Sequence, residues 1–284
     1  MSLARRRWWA KKLARGAMAA ASSMLPRPSG PAVRVLTYHR FGHVPRDPFC
    51  VPPETFEAQV AFLAQEGRAV SLEDVVAFAY GRRALPEDAC LVSMDDGYAS
   101  MLEIALPILA RHRVPSVAFV TASFVGAPRV PELPEAFLSV EGLRALHAGG
   151  VSIGSHALTH RSMGRLSPEE ARDEARRSRA RLEELLGAPV TSFAYPFGTH
   201  GDFHEGTDRA LAEAGYQVAF HSQHGPVRSG ELADGWHSLP RIKIEAGKPF
   251  WQFKRMTRGA MDGWSIVDRN LWRLQRVREE ITPG

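Results

Sequence analysis

Cysteine is scarce: the 284 residues include only Cys50 and Cys90. Their positions form neither a disulfide framework nor a metal-ligand spacing, so two unpaired thiols are expected and any metal must be held by other side chains. Long apolar runs are missing as well. No stretch reaches the ~20 uninterrupted apolar residues that a transmembrane helix needs. Acidic residues are absent from residues 1–46, which carry ten Lys/Arg. Residues 47–247 carry 18 basic and 27 acidic residues, and residues 248–284 carry eight and four. The formal charge of +5 therefore belongs to the two ends. A nucleic-acid binder places its basic patch on the folded domain, so no nucleic-acid partner is expected. No internal repeat or low-complexity tract is visible.

What the ends do contain is tryptophan: five of six, namely Trp8, Trp9, Trp251, Trp264 and Trp272. Trp beside Lys/Arg is the composition of a segment at a membrane–water interface, and peripheral membrane contact is one expectation. A docked helix, a disordered tail and, for the N-terminus, an export signal are the others. Cytoplasmic and peripheral-membrane placements are preferred, with export left open. Pro26-Arg27-Pro28-Ser29-Gly30-Pro31 reads as a linker. The chain thus divides into a basic segment with linker (1–31), a catalytic domain (32–247) and a basic, Trp-containing extension (248–284).

Within the domain, apolar periodicity predicts strands at Val33–Tyr38, Ala89–Met94, Ser116–Val120, Val151–Gly154, Ser192–Tyr195, Tyr216–Phe220 and Leu239–Ile244. Helices are predicted over Pro53–Glu66, 101–111 with a kink at Pro107, Leu138–His147, 167–186 and 206–214. The fifth strand follows a helix with strong end signals: Ser167 as cap, Pro168 in the first turn, Glu170 three residues on and Gly187 as stop. Strands alternating with helices imply parallel strands joined by helical crossovers, an α/β fold. The polar motifs all fall just after strands, as at the mouth of a barrel, which favours a barrel over an open sheet.

Three polar clusters carry chemistry. Asp95-Asp96-Gly97 places two carboxylates at a strand end, where they repel unless something positive is near; alone, it is equally a turn. His156-Ala157-Leu158-Thr159-His160 spaces two imidazoles by four, so a helical turn would project both to one side. Two histidines and one carboxylate form a recurrent catalytic metal set that leaves positions open for water and substrate. The third cluster is Phe193-Ala194-Tyr195-Pro196-Phe197-Gly198, with Leu239-Pro240-Arg241 downstream.

Taken with Thr37-Tyr38-His39, these motifs over roughly residues 33–245 resemble the polysaccharide deacetylases, carbohydrate esterase family four. The resemblance implies a single-domain distorted (β/α)7 barrel with a divalent metal, commonly zinc. It implies that Asp96, His156 and His160 hold the metal and that Asp95 is the general base. It also implies that the Tyr195 backbone N–H faces the oxyanion and that Pro196 and Phe197 bind substrate. The expected activity is metal-dependent hydrolysis of N-acetyl groups on a polysaccharide or amino sugar, with an N-acetylated glycan as partner.

The sequence departs from the family pattern in two places. Ala194 stands where many members have the arginine that orients the base, and Arg241 is the candidate substitute. The closing Leu-x-His that supplies the general acid is absent, leaving His39 as the tentative acid and His221, His224 and His237 as alternatives. Two further readings stay open: a deacylase of a membrane-associated lipid-linked sugar, and a non-catalytic glycan-binding barrel.

Overall fold

A computed structural model describes residues 31–128, 135–233, 235–265 and 268. The basic N-terminal segment, with Trp8 and Trp9, and Trp272 lie outside the described residues.

Seven α-helices and eleven strands are described. The strands are β1 (Ala32–Tyr38), β2 (Arg40–Phe41), β3 (Cys50–Val51), β4 (Cys90–Asp96), β5 (Ser116–Val120), β6 (Val151–Ser155), β7 (Ser192–Ala194), β8 (Val218–Phe220), β9 (Val227–Arg228), β10 (Ser238–Leu239) and β11 (Ile242–Lys243). The helices are α1 (Pro53–Gln65), α2 (Leu72–Ala79), α3 (Leu106–His112), α4 (Val140–Ala148), α5 (Pro168–Leu186), α6 (Glu205–Glu213) and α7 (Phe250–Met256). The main sheet runs β10-β8-β7-β6-β5-β4-β1-β11, parallel throughout, with β9 antiparallel to β1.

The expected last strand, Leu239–Ile244, is split. Ser238–Leu239 pairs with β8 and Ile242–Lys243 pairs with β1, at opposite edges of the sheet. Only Pro240 and Arg241 lie between. Pro240 has no N–H for a ladder bond, and the Arg241 N–H goes to Gln223 O at 3.2 Å. One short stretch of chain thereby reaches both edges, and the sheet becomes a nearly closed barrel.

Side chains alternate between two cores, as strand geometry requires. Val33 and Val35 of β1, Leu91 of β4, Val117 and Phe119 of β5, Ala194 of β7 and Phe220 of β8 form one buried cluster. Leu36 and Tyr38, Val92 and Met94, Ala118 and Val120, and Phe193 form the other, together with helix residues such as Phe56, Leu143 and Leu182. The first cluster is the barrel interior and the second packs the helical coat. Helix α2, which the sequence reading passed over, joins the interior cluster through Leu72, Val75, Phe78 and Ala79. A capping box between Ser71 and Asp74 starts it, and it packs beside the strand starts Val33 and Ala89.

The helix expected over 101–111 is a π-helical turn, Met101–Ala105, leading into α3. Pro107 sits in the first turn of α3, where a missing N–H costs little, and the preceding turn widens instead. Helix α5 has the expected bounds, with the Ser167–Glu170 capping box and Gly187 at φ 69°.

The extension beyond residue 247 docks on the barrel as far as it is described. Phe253, Met256, Met261 and Trp264 are buried in the helix-side core. Asp262 takes two bonds from Arg34 of β1, at 3.2 and 2.8 Å. Trp251 is half-exposed beneath the Arg255 guanidinium. With Trp264 committed to the core, the membrane expectation gains no support from this segment. Among the described residues no helix is long and apolar enough to cross a membrane. Both cysteines are free and buried, as expected.

Candidate metal centre

The site lies at the carboxyl ends of β4, β6 and β7. The aspartates are not in a turn after β4, as the Asp-Gly signal allowed, but are its last two residues, both buried. Alternation along the strand splits them. Asp95 is two residues from Ser93 on the interior face, while Asp96 ends the strand with φ 81°. That left-handed backbone is strained for a non-glycine residue. Gly97 follows at φ 92°, and a Cβ there would sit 2.8 Å from Val120 Cγ1. Only glycine lets the chain turn this tightly after the two carboxylates.

Contrary to what their spacing predicts, His156 and His160 are not on a helical turn. Residues 156–160 form a loop with Ala157 at φ 65° and His160 at φ 61°. The left-handed residues, rather than a 3.6-residue period, bring the two rings to 5.0 Å. The Nε2 atoms of His156 and His160 stand 3.4 and 3.3 Å from Asp96 Oδ1. Ligand atoms of these three residues all lie within 4.8 Å of one another, the only such group of three among the described residues.

The donor set fits a divalent cation. The His156 Nδ1–H donates to Ala194 O at 2.7 Å, which fixes the tautomer and leaves the Nε2 lone pair toward Asp96. Ala194, where many family members have arginine, thus contributes its backbone carbonyl. Burial alone would raise the Asp96 carboxyl, but bonds to the two imidazoles outweigh it and hold the group well below the usual range. Burial opposes protonation of His156, yet Asp95 and Asp96 raise its pKa. Two imidazoles and a carboxylate drawn together in a buried pocket form the kind of set a dication replaces protons in.

Beneath this group, Arg241 grips Asp95. Nη1 donates to Oδ1 at 2.7 Å and Nη2 to Oδ2 at 2.8 Å. Arg241 is fully buried, with its guanidinium 5.4 Å above the Phe119 ring and its Nε donating to His221 O at 3.4 Å. Burial pushes the Asp95 pKa up, and Arg241 and then His156 more than reverse it, so Asp95 is held ionised. A carboxylate gripped by two parallel bonds has a fixed plane, which leaves its remaining lone pairs in one direction.

The remaining candidates divide. His39 lies at the end of β1, edge-on to Phe49 at 5.0 Å and within electrostatic reach of Asp95 and Asp96. Burial lowers its pKa to about 4 even against those two charges, so at neutral pH it is an uncharged imidazole rather than a ready acid. His224 is held by Asp268 at 2.8 Å, His221 stacks on Phe203, and His237 is 3.8 Å from Glu231. The Tyr195 N–H donates to Phe220 O at 2.9 Å. That donor is spent in the sheet, so the oxyanion role does not fit it. Pro196 is buried; Phe197, half-buried at φ 62°, sets its ring 5.0 Å from His160.

Two carboxylates that the sequence reading missed brace the loops around the centre. Glu174 of α5 accepts bonds from the loop between the histidines. Asp202 accepts from Ser162 Oγ at 2.6 Å and from Thr199 N at 3.0 Å, tying the chain after His160 to the chain after Phe197. Glu174 carried a signal: a charged residue on the otherwise small and apolar stripe Ala171, Ala175, Ser178, Leu182 and Leu185.

The barrel and its centre define a class. Residues 82–219, just under half of the chain, match the family model described as polysaccharide deacetylase. The solved structure of IcaB from Ammonifex degensii is 27% identical, covering 82% of this chain and 98% of that one with a TM-score of 0.69. The Streptococcus pyogenes deacetylase PplD, solved in complex with acetate, is 21% identical over 81% of this chain and 99% of that one, also at 0.69. Among curated proteins, YxkH of Bacillus subtilis (strain 168), assigned as a polysaccharide deacetylase, is 23% identical over 198 residues. That match spans 69% of this chain and 66% of the relative, just under two thirds of its length.

Proposed function

We propose that this chain hydrolyses N-acetyl groups on a glycan, using a divalent cation, in our reading zinc, held by Asp96, His156 and His160. The observation that carries the reading is the convergence of Asp96, His156 and His160 beside a separate, arginine-gripped Asp95. A cation bound there supplies Lewis-acid polarisation of the acetyl carbonyl and acidifies a water for attack. The family supports the glycan substrate, and the donor set supports a borderline metal over Mg²⁺ or Ca²⁺, which take oxygen ligands.

Asp95 takes the proton as water attacks the amide carbon. Arg241 keeps Asp95 charged and aimed. Cleavage of the C–N bond requires a proton for the leaving amine, and His39, neutral at neutral pH, does not bring one. Asp95, having received the water's proton, delivers it to the amine nitrogen; a base and then acid in one turnover, it needs no second donor. The products are acetate and a free amine.

The test is acetate release from acetylated chitooligosaccharides and acetylated exopolysaccharide, before and after chelation and after Zn²⁺ is restored. Release that stops on chelation and returns with metal supports the reading. Full release from chelated protein rejects it.

A further inference from the structure

Glu174 is a buried carboxylate with no ion pair among the described residues, yet both its oxygens are occupied. Oε2 accepts from Leu158 N at 2.9 Å and from Thr159 N at 3.0 Å, and Oε1 accepts from Thr159 Oγ1 at 2.5 Å. Every donor comes from the three residues that separate His156 from His160. Burying a carboxylate is costly unless its lone pairs are used, and here the loop uses them.

The other side of the loop is held as completely. Ala157 O accepts from Ala122 N and Leu158 O accepts from Ser123 N, both at 3.0 Å. The loop is clamped between the turn after β5, which takes its carbonyls, and Glu174, which takes its N–H groups. It needs the clamp because Ala157 and His160 both adopt left-handed backbone, a conformation disfavoured for L-residues. Register delivers the clamp. The Ser167–Glu170 box fixes where α5 begins, and Glu174 then falls on its buried stripe, one turn beyond Glu170 and opposite Thr159.

We infer that Glu174 is a positioning residue for the metal centre: it sets the separation of His156 and His160 and thereby their affinity for the cation. The inference rests on the metal reading above. Leu at this position fills most of the same buried space but accepts no hydrogen bond, so the loop N–H groups lose their partner while the stripe of α5 stays packed.

The test uses the full chain, stripped of metal and titrated with Zn²⁺ and Co²⁺. Glu174→Leu is expected to bind Zn²⁺ about 10–100-fold more weakly, the usual range for loss of a group that orients a ligand. Its Co²⁺ complex is expected to lose visible absorption as the ligands spread. Thr159→Val, which removes one of the three donors and cannot unfold α5, is expected to show a smaller loss in the same direction. Zn²⁺ affinity within twofold of wild type and an unchanged Co²⁺ spectrum in both variants overturn the inference, whatever happens to apo-protein melting. A wild-type chain that binds no Zn²⁺ overturns the metal reading itself, a distinct result.

Discussion

Arg241 meets Asp95 through two parallel bonds of 2.7 and 2.8 Å inside the barrel, although 146 positions separate them in sequence. Arg241 also lies in the two-residue link that closes the sheet between β10 and β11. Closure of the sheet and orientation of Asp95, the proposed base, therefore depend on the same two-residue link. Arg241→Ala leaves Asp95 charged, buried and unpaired, which costs about 3–5 kcal/mol; the urea midpoint reads it. Arg241→Lys keeps the charge but loses the fork, and kcat should fall about 10–100-fold with metal content unchanged. Wild-type kcat in the lysine variant would show that the plane of Asp95 does not matter.

Asp95→Asn keeps one oxygen for Arg241 and leaves Asp96, His156 and His160, the proposed metal-holding residues, intact. Turnover should fall by roughly 10²–10⁴, the scale of a lost general base, while zinc stoichiometry by elemental analysis stays at the wild-type value. Unchanged turnover would remove Asp95 from the chemistry.

His39 carries a pH signature. Its pKa is lowered by burial from 6.5 to about 4 in the folded chain, with Asp96, Asp95, Lys243 and Arg241 the charges that act on it. Below pH 6.5 the unfolded chain takes up a proton that the folded chain refuses until about pH 4. This group's contribution to stability is therefore complete above pH 6.5 and is lost as pH falls toward 4. His39→Asn should flatten that part of the stability profile, measured by urea unfolding at pH 7 and pH 4.5. A variant with the wild-type slope would place the acid sensitivity elsewhere.

Gly154 on β6 marks a close approach within the barrel. A Cβ there would sit 2.5 Å from both Phe119 Cδ1 and Ser192 Oγ, and Phe119 lies directly under Arg241. Gly154→Ala should cost about 1–3 kcal/mol through overpacking, seen as a lower melting temperature. An unshifted melting temperature would mean the strands part without strain.

Much of this was legible in the sequence because the signals are local. The Ser167 capping box, the Gly187 stop and the apolar runs at β1 and β5 each specify their element within a few residues. What was hidden depends on distant partners. The residues 156–160 read as a helical turn because HxxxH fits a helical period, but bonds donated by Ala122 and Ser123 and accepted by Glu174 hold left-handed residues that no local pattern announces. Leu239–Ile244 read as one strand because Leu and Ile fall close together there; Pro240 splits it between two sheet edges. Tyr195 was assigned by motif position, but its N–H is taken by Phe220, and only the sheet register reveals that. Arg241, inferred as a stand-in for the arginine missing at Ala194, is the residue found on Asp95.

The most direct measurement is anomalous diffraction at the zinc edge from crystals grown with Zn²⁺. The account predicts one strong peak at about 2.0–2.2 Å from Asp96 Oδ and from Nε2 of His156 and His160, with Asp95 beside it but still paired with Arg241. No peak among these three residues at full Zn²⁺ saturation, or a peak held by other side chains, would contradict it.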